Sequence, residues 1–330
     1  MKKEVKWYLV SLAVLLAAAT CALIVGNKSI SPAEVLETIA GRGTKYFEVI
    51  VYQVRIPRVI AAAASGAALS VSGYLLQNNL NNTLASPGIL GINNGAGLFV
   101  LLYAWLFPYQ YAGKCIAAFL GAMVVTVIIF LLSAETGMSK TSVVLSGVAI
   151  SALCLSVIDV IISLKPETVA DRAAFQLGGF AALNTYSVAF AVPVIVTVVI
   201  LAELFSPSLD ILVLGDEVAA GLGLNVHRYR AVYILFAAIL SGAAVSMCGI
   251  IGFLGLIVPN VVRLFYRGKS RGGIFLCATM GAGFLVFCDL LGRIVVYPYE
   301  LPCGLFLNVI GAPFLVWMLI RKRKRLDAHD

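Results

Sequence analysis

The sequence predicts an all-α polytopic membrane protein, on three observations. Apolar residues make up 61% of the chain and charged residues only 12%, with a mean hydropathy of +0.99, far from the composition of a soluble globular domain. Apolar runs near 20 residues recur along the whole length, each able to cross a hydrocarbon core as a helix. The basic residues sit around the ends of those runs instead of gathering on one face. The net charge of +8 therefore reads as membrane topology, and no nucleic-acid partner is expected.

Ten spans are predicted, at about residues 7–25, 56–75, 88–106, 112–133, 142–164, 187–205, 230–248, 251–265, 272–291 and 303–320. The first begins after Met1-Lys2-Lys3-Glu4-Val5-Lys6 and is too long for a secretory leader. Ala18-Ala19-Thr20-Cys21 is a poor lipoprotein site, with threonine before the cysteine. With the N-terminus inside, the cytoplasmic segments hold fifteen of the 24 Lys and Arg, ending in the run Arg321 to Arg325. The positive-inside rule then places both termini in the cytoplasm, together with a polar loop at about 206–230. The chain reads as a single transmembrane domain over residues 1–330.

Between the first two spans, Ser31-Pro32-Ala33-Glu34 is a capping box with proline at the first helical position. It predicts a short helix through Val35, Leu36 and Ile39 that stops at Gly41 or Gly43. Arg55-Ile56-Pro57-Arg58 follows at the outer mouth of the second span. These cations are either interfacial snorkelling side chains or a landing site for an acidic partner. Ala62, Gly66 and Ser70, with Ser65 and Gly73 nearby, form a small-residue face for close helix packing. Asn93 and Asn94 in the next span either cap irregular backbone around Pro87-Gly88 or line a wet path.

Ionisable residues inside the spans are few. Asp159, Glu203 and Asp289 all lie toward helix ends, and Arg293 follows Asp289 at i+4 where the two can pair. Acids or unwound helices at mid-membrane depth would mark a proton- or sodium-driven carrier. Their absence weighs against that alternative, an ion-gradient-driven secondary transporter. Gly268-Lys269-Ser270 ends like a Walker A loop, but a span precedes it and Arg263 stands where the first glycine belongs. No catalytic constellation or metal-ligand cluster is read, and the seven cysteines form no C-x-x-C pair and read as small hydrophobes. ATP, if it drives this protein, must bind another subunit.

The 206–230 loop carries Leu214-Gly215-Asp216-Glu217-Val218-Ala219-Ala220-Gly221-Leu222-Gly223. Asp216 and Glu217 suit the positive N-terminal end of a short helix, and Gly221 and Gly223 suit its stop. Val218 and Leu222 fall four apart and make an apolar ridge. On spacing alone the helix either rests on lipid or docks a partner.

Several strings resemble one family, the permease subunits of ABC importers for iron-siderophore complexes, haem and vitamin B12, called FecCD. Arg55-Ile56-Pro57-Arg58 is similar to its R-L-P-R, and residues 82–91 to N-P-L-A-D-P-G-x-L-G. Gly249-Ile250-Ile251-Gly252-Phe253-Leu254-Gly255-Leu256-Ile257-Val258-Pro259-Asn260 resembles G-P-I-G-F-V-G-L-I-V-P-H. Glu300-Leu301-Pro302-Cys303-Gly304 and Gly311-Ala312-Pro313 also match, and Leu177-Gly178-Gly179 matches more weakly. The departures are Thr83 for proline, Ser86 for aspartate, Ile250 for proline and Asn260 for histidine, all at turn or capping positions.

The resemblance implies a type II ABC importer permease architecture with ten transmembrane helices, both termini cytoplasmic, in the bacterial cytoplasmic membrane. It implies a homodimer with the path along the two-fold axis, two cytoplasmic ATPase subunits that bind the ATP and Mg, and an extracytoplasmic substrate-binding protein. This chain would bind no cofactor itself. The cargo would be a metal chelate, with ferric siderophore the commonest and haem or cobalamin also carried. Gly215, Asp216, Glu217, Val218, Ala219, Leu222 and Gly223 would form the ATPase-coupling helix. Arg55, Arg58 and Arg293 would meet the binding protein, and Thr141 and Ser142 would lie at the cytoplasmic gate.

Overall fold

Each of the ten predicted spans coincides with a helix in the computed structural model, which describes residues 2–26, 31–107, 110, 113–134, 139–164, 175–181 and 183–326. In chain order these are α1 (Lys2–Ile24), α2 (Pro32–Ile39), α3 (Lys45–Glu48) and a π-helical turn, Val49–Arg55, that runs into α4 (Ile56–Asn79). There follow α5 (Ile92–Leu106), α6 (Lys114–Ala134), α7 (Lys140–Leu164), α8 (Thr185–Val213), α9 (Asp216–Gly221), α10 (Val226–Cys248), α11 (Leu254–Phe265), α12 (Ser270–Ile294) and α13 (Cys303–Leu326). Seven of these elements are long and apolar enough to cross a membrane; Ile92–Leu106, Leu254–Phe265 and Cys303–Met318 are shorter apolar helices. Among the described residues there is no β-strand.

Helix α4 is the axle. Buried residues fill 78% of its most apolar window, against 17% for α1 and 22% for α7 and α8, and it packs on α8, α10, α11 and α12. The small-residue face makes this possible. A Cβ on Gly66 would strike the Gly281 carbonyl of α12, and one on Gly73 would strike the Gly255 carbonyl of α11. Backbone-to-backbone approach of this kind supplies the van der Waals contact that holds helices together where lipid competes for every apolar side chain. The outer helices carry that apolar surface: Leu9 and Leu16 of α1, Leu145 and Leu153 of α7, and Ile200 and Leu204 of α8 are all exposed. Six of the seven cysteines are buried, and all seven are free.

Three local readings meet their geometry. The capping box closes both ways, with Ser31 N–H donating to Glu34 Oε2 at 2.8 Å and Glu34 N–H to Ser31 Oγ at 3.2 Å, and the chain turns at Gly41 with φ +74°. Ser86 does what an aspartate would do, accepting the Ile89 N–H on its hydroxyl at 3.4 Å. Asn260 donates to the Thr83 and Leu256 carbonyls at 3.0 and 2.7 Å, which ties α11 to the polar turn after α4.

Two readings are corrected. The hydrogen bonds of Asn93 and Asn94 go to other helices and not to the Pro87-Gly88 turn. Asn93 accepts from Ser241 of α10 at 2.9 Å and Asn94 donates to Ser151 of α7 at 2.6 Å, so both amides bridge helices. The polar loop is also shorter than 206–230, because α8 continues through Ser206-Pro207-Ser208 to Val213. Pro207 has no N–H for the Glu203 carbonyl one turn back. The Ser206 hydroxyl donates to that carbonyl at 2.7 Å, and the Phe205 carbonyl accepts from Ser208 at 2.8 Å and Tyr233 at 2.6 Å. Side-chain donors thus repair a helix that proline would otherwise end.

Between α10 and α11 the backbone is irregular: Gly249 (φ +70°) and Phe253 (φ +62°) are both left-handed. The freed groups find partners in residues 175–179. Ile250 N–H donates to the Phe175 carbonyl at 2.8 Å, Gly179 N–H to the Cys248 carbonyl at 2.8 Å, and Gly304 N–H to the Gly178 carbonyl at 3.2 Å. The family string has proline where this chain has Ile250, and here that N–H is used. Irregular backbone at this depth is tolerated because protein covers it.

The glycine contacts give a direct check. Gly73→Val is expected to destabilise the protein by about 3 kcal/mol, as overpacking does. Gly221→Ala, where an added Cβ meets nothing within 4 Å, is expected to be neutral. Thermal unfolding of the two variants in detergent compares them.

Candidate coupling helix and arginine cluster

The two ends of the bundle carry different polar constructions. At one end, α9 is a single element of six residues, Asp216–Gly221. It starts from Gly215 (φ +112°) and stops at Gly223 (φ +82°), where both positive φ values favour glycine. The stop is a Schellman turn: Leu224 N–H donates to the Ala219 carbonyl at 3.0 Å and Gly223 N–H to the Ala220 carbonyl at 2.9 Å. Ala219 is fully buried and seats the helix on the core. The flank next to Ala219 is apolar and open, with Val218 50% and Leu222 63% exposed. Leu214, 61% exposed, extends this ridge by one turn. Sequence reading missed it because it precedes the helix that the spacing defined.

Asp216 anchors the helix. Its carboxylate accepts Arg230 Nη2 on both oxygens, at 2.9 and 2.8 Å, and lies 3.1 Å from Lys140 Nζ. Partial burial would raise its pKa, but the hydrogen bonds and charges of Arg230 and Lys140 outweigh that and hold the carboxyl below its ordinary 3.8. A depressed carboxyl contributes fully above its ordinary pKa and loses its contribution only as pH falls through the depressed value. Asp216 is therefore ionised throughout the neutral range. Arg230 is buried at 1% exposure, and its carbonyl accepts from Asn79 at the end of α4 at 3.1 Å. Thr141 and Ser142 stand in the first turn of α7, next to Lys140, where Ser139 caps the helix by accepting the Ser142 N–H at 3.1 Å.

At the other end lie Arg55, Arg58 and Arg293, with exposures of only 4%, 8% and 4%. They are not rim cations of the kind that snorkel. Arg58 forks onto Asp289, with Nε and Nη2 within 2.9–3.2 Å of its oxygens, and its Nη1 reaches Glu300 at 2.8 Å. Arg293 pairs with Asp289 at 3.3 Å, the i+4 pair expected from spacing, and donates to the Ala22 carbonyl at 3.2 Å. Arg55 donates to the Leu23 and Ile24 carbonyls at 2.5 and 2.9 Å. Two of the three arginines thus cap the C-terminus of α1, whose last carbonyls have no partner within the helix. Arg293 Nη2 is buried with no hydrogen-bond partner. A cleft of about 270 Å³, lined by Tyr46, Glu300 and all three arginines, opens over this cluster.

Comparison with known proteins decides what carries this geometry. The profile described as the FecCD transport family matches residues 13–321. This chain belongs to the FecCD transport family. A vitamin B12 import system permease of Vibrio vulnificus is 35% identical over 332 residues, covering 99% of this chain and 97% of the relative. An Fe(3+)-citrate import system permease of Bacillus subtilis is 31% identical over 319 residues, covering 96% of each. A hemin transport system permease of Yersinia pestis is 34% identical over 278 residues, covering 82% of this chain and 83% of the relative. An inward-facing transporter described as of the metal-chelate ABC type matches the fold with a TM-score of 0.86 at 23% identity, covering 96% of this chain and 99% of that one. The FecCD protein is a multi-pass membrane permease of the ABC import class, a transport subunit. The ion-driven carrier reading finds no support in these relatives, which are import-system permeases.

Removing Arg58 would strand Asp289, itself 3% exposed, with Arg293 alone. Arg58→Ala is expected to cost about 3–5 kcal/mol, the scale for breaking a buried pair from one side. Chemical denaturation in detergent measures it, and Asp289→Ala combined with Arg58→Ala should cost less than the sum of the two single changes.

Proposed function

We propose that this chain is the permease of a binding-protein-dependent importer that carries a metal chelate inward, with a ferric siderophore or ferric citrate as cargo. In this reading ten helices cross the bilayer, both termini and α9 face the cytoplasm, and two copies form a homodimer around the path. The observation that carries it is α9: an exposed ridge of Leu214, Val218 and Leu222 on a short helix that is seated by Ala219 and anchored by Asp216. Such a ridge is built to insert into a groove of a partner, here the cytoplasmic ATPase that binds ATP and Mg. Glu217, exposed beside it, and Gly223 complete the docking element. Iron recurs in the cargo of the relatives, as ferric citrate and hemin.

On the other face, the binding protein would present carboxylates. The buried setting of Arg55, Arg58 and Arg293 means that these carboxylates would enter the cleft that the three arginines line. Charge pairing of this type steers docking and sets register more than it adds affinity. Closure of the ATPase pair would draw the α9 helices together and tilt the bundle, and Thr141 and Ser142 at the start of α7 would then open or close the inner end of the path.

Two measurements test the reading. Replacing Glu217 and Gly223 together should leave ATP hydrolysis in place and abolish uptake in proteoliposomes; full uptake after that change would remove α9 from the coupling role. Uptake of radio-iron as ferric citrate or ferric hydroxamate should exceed uptake of hemin and cyanocobalamin in cells that depend on this permease. Preference for cyanocobalamin would reverse the cargo assignment.

A further inference from the structure

The anchor of α9 reaches one helix further than docking requires. Lys140 is the first residue of α7, the positive end of a helix dipole, where a cation is disfavoured. Its Nζ sits 3.1 Å from Asp216 Oδ1, while Arg230 Nη2 holds the same carboxylate from α10 at 2.8 Å. One carboxylate therefore joins three helices. Its two cations differ in freedom: the Arg230 side chain is 2% exposed, that of Lys140 31%. The Arg230 carbonyl is held by Asn79, which ties this half of the cluster to the central helix α4.

Packing does not supply the same link. Helix α9 packs against α8 and α10, whereas α7 packs chiefly against α5 and α6. Helix α7 is among the least buried of the long apolar helices, with 22% of its window covered within the chain. The ion pair at its first residue lies next to Thr141 and Ser142.

We propose that Lys140 is a positioning residue that carries displacement of α9 to the first turn of α7, with Asp216 as the shared anion and Arg230 as the fixed anchor. The inference rests on the reading of α9 as the helix that an ATPase moves. A partner that shifts α9 moves the carboxylate, and the mobile ammonium follows because separation would leave a cation against the helix dipole with no counter-charge.

The test uses the full complex, copurified with its ATPase, and hydrogen exchange of the peptide spanning residues 139–145 in the nucleotide-free and ATP-vanadate states. In the parent, exchange of this turn should change between the two states. Lys140→Gln should lose that change while ATP hydrolysis continues, Asp216→Asn should lose it as well, and the double variant should lose no more than either alone. Lys140→Arg, which keeps the charge, should retain it. A nucleotide-dependent change that survives Lys140→Gln overturns the inference, and so does its loss in Lys140→Arg. A parent chain that recruits no ATPase overturns the coupling reading itself, a result that the copurification step separates from the other two.

Discussion

The rest of the fold depends on how near α4 comes to its neighbours. In a bilayer, burial of apolar surface cannot favour protein contact over lipid contact strongly, so helices must gain their cohesion from close packing and from hydrogen bonds. Gly66 and Gly73 let two carbonyls, those of Gly281 and Gly255, rest against the α4 backbone itself. Once α4 is fixed in this way, α10, α11 and α12 have their depth and angle set, and α1, α7 and α8 can be held as a looser outer layer. Hydrogen bonds from Ser72 to the Ala237 carbonyl at 2.7 Å and from Gln77 to the Gly255 carbonyl at 3.1 Å add direction to contacts that packing alone leaves free to slide.

Charge is confined to the two ends and treated differently at each. Over the arginine cluster, the three arginines are buried, Arg58 and Arg293 share Asp289, and Arg55 and Arg293 close the end of α1. Around α9, one carboxylate is shared between a fixed and a freer cation, on an element with few packing contacts of its own.

Much of this was legible in the sequence because the signals are local. Run length gave the spans, the Ser31 to Glu34 spacing gave the cap of α2, and the acids Asp216 and Glu217 with the glycines that follow gave the limits of α9. The i+4 rule gave the Asp289 to Arg293 pair. What could not be read was set by tertiary contact. Whether Arg55 snorkels or caps α1 depends on where residues 23 and 24 end up, 31 and 32 positions away. Asn93 and Asn94 looked like turn residues because their partners, Ser241 and Ser151, lie on other helices. The extension of α8 through Pro207 was hidden for a similar reason: proline is a local stop signal, and the hydroxyls of Ser206, Ser208 and Tyr233 that override it must first be brought together.

The joint between α10 and α11 has a further consequence. Its bonds to residues 175–179 and to Gly304 run from backbone to backbone, so they ask little of the side chains involved beyond glycine where φ is positive. Such a joint tolerates exchange of residue types, and Ile250 in place of the family proline is an instance. It has no tolerance for a residue gained or lost on either strand of the pairing, since one step of slippage would leave polar groups unmatched inside the membrane. Substitution at this joint is therefore expected to cost less than insertion or deletion.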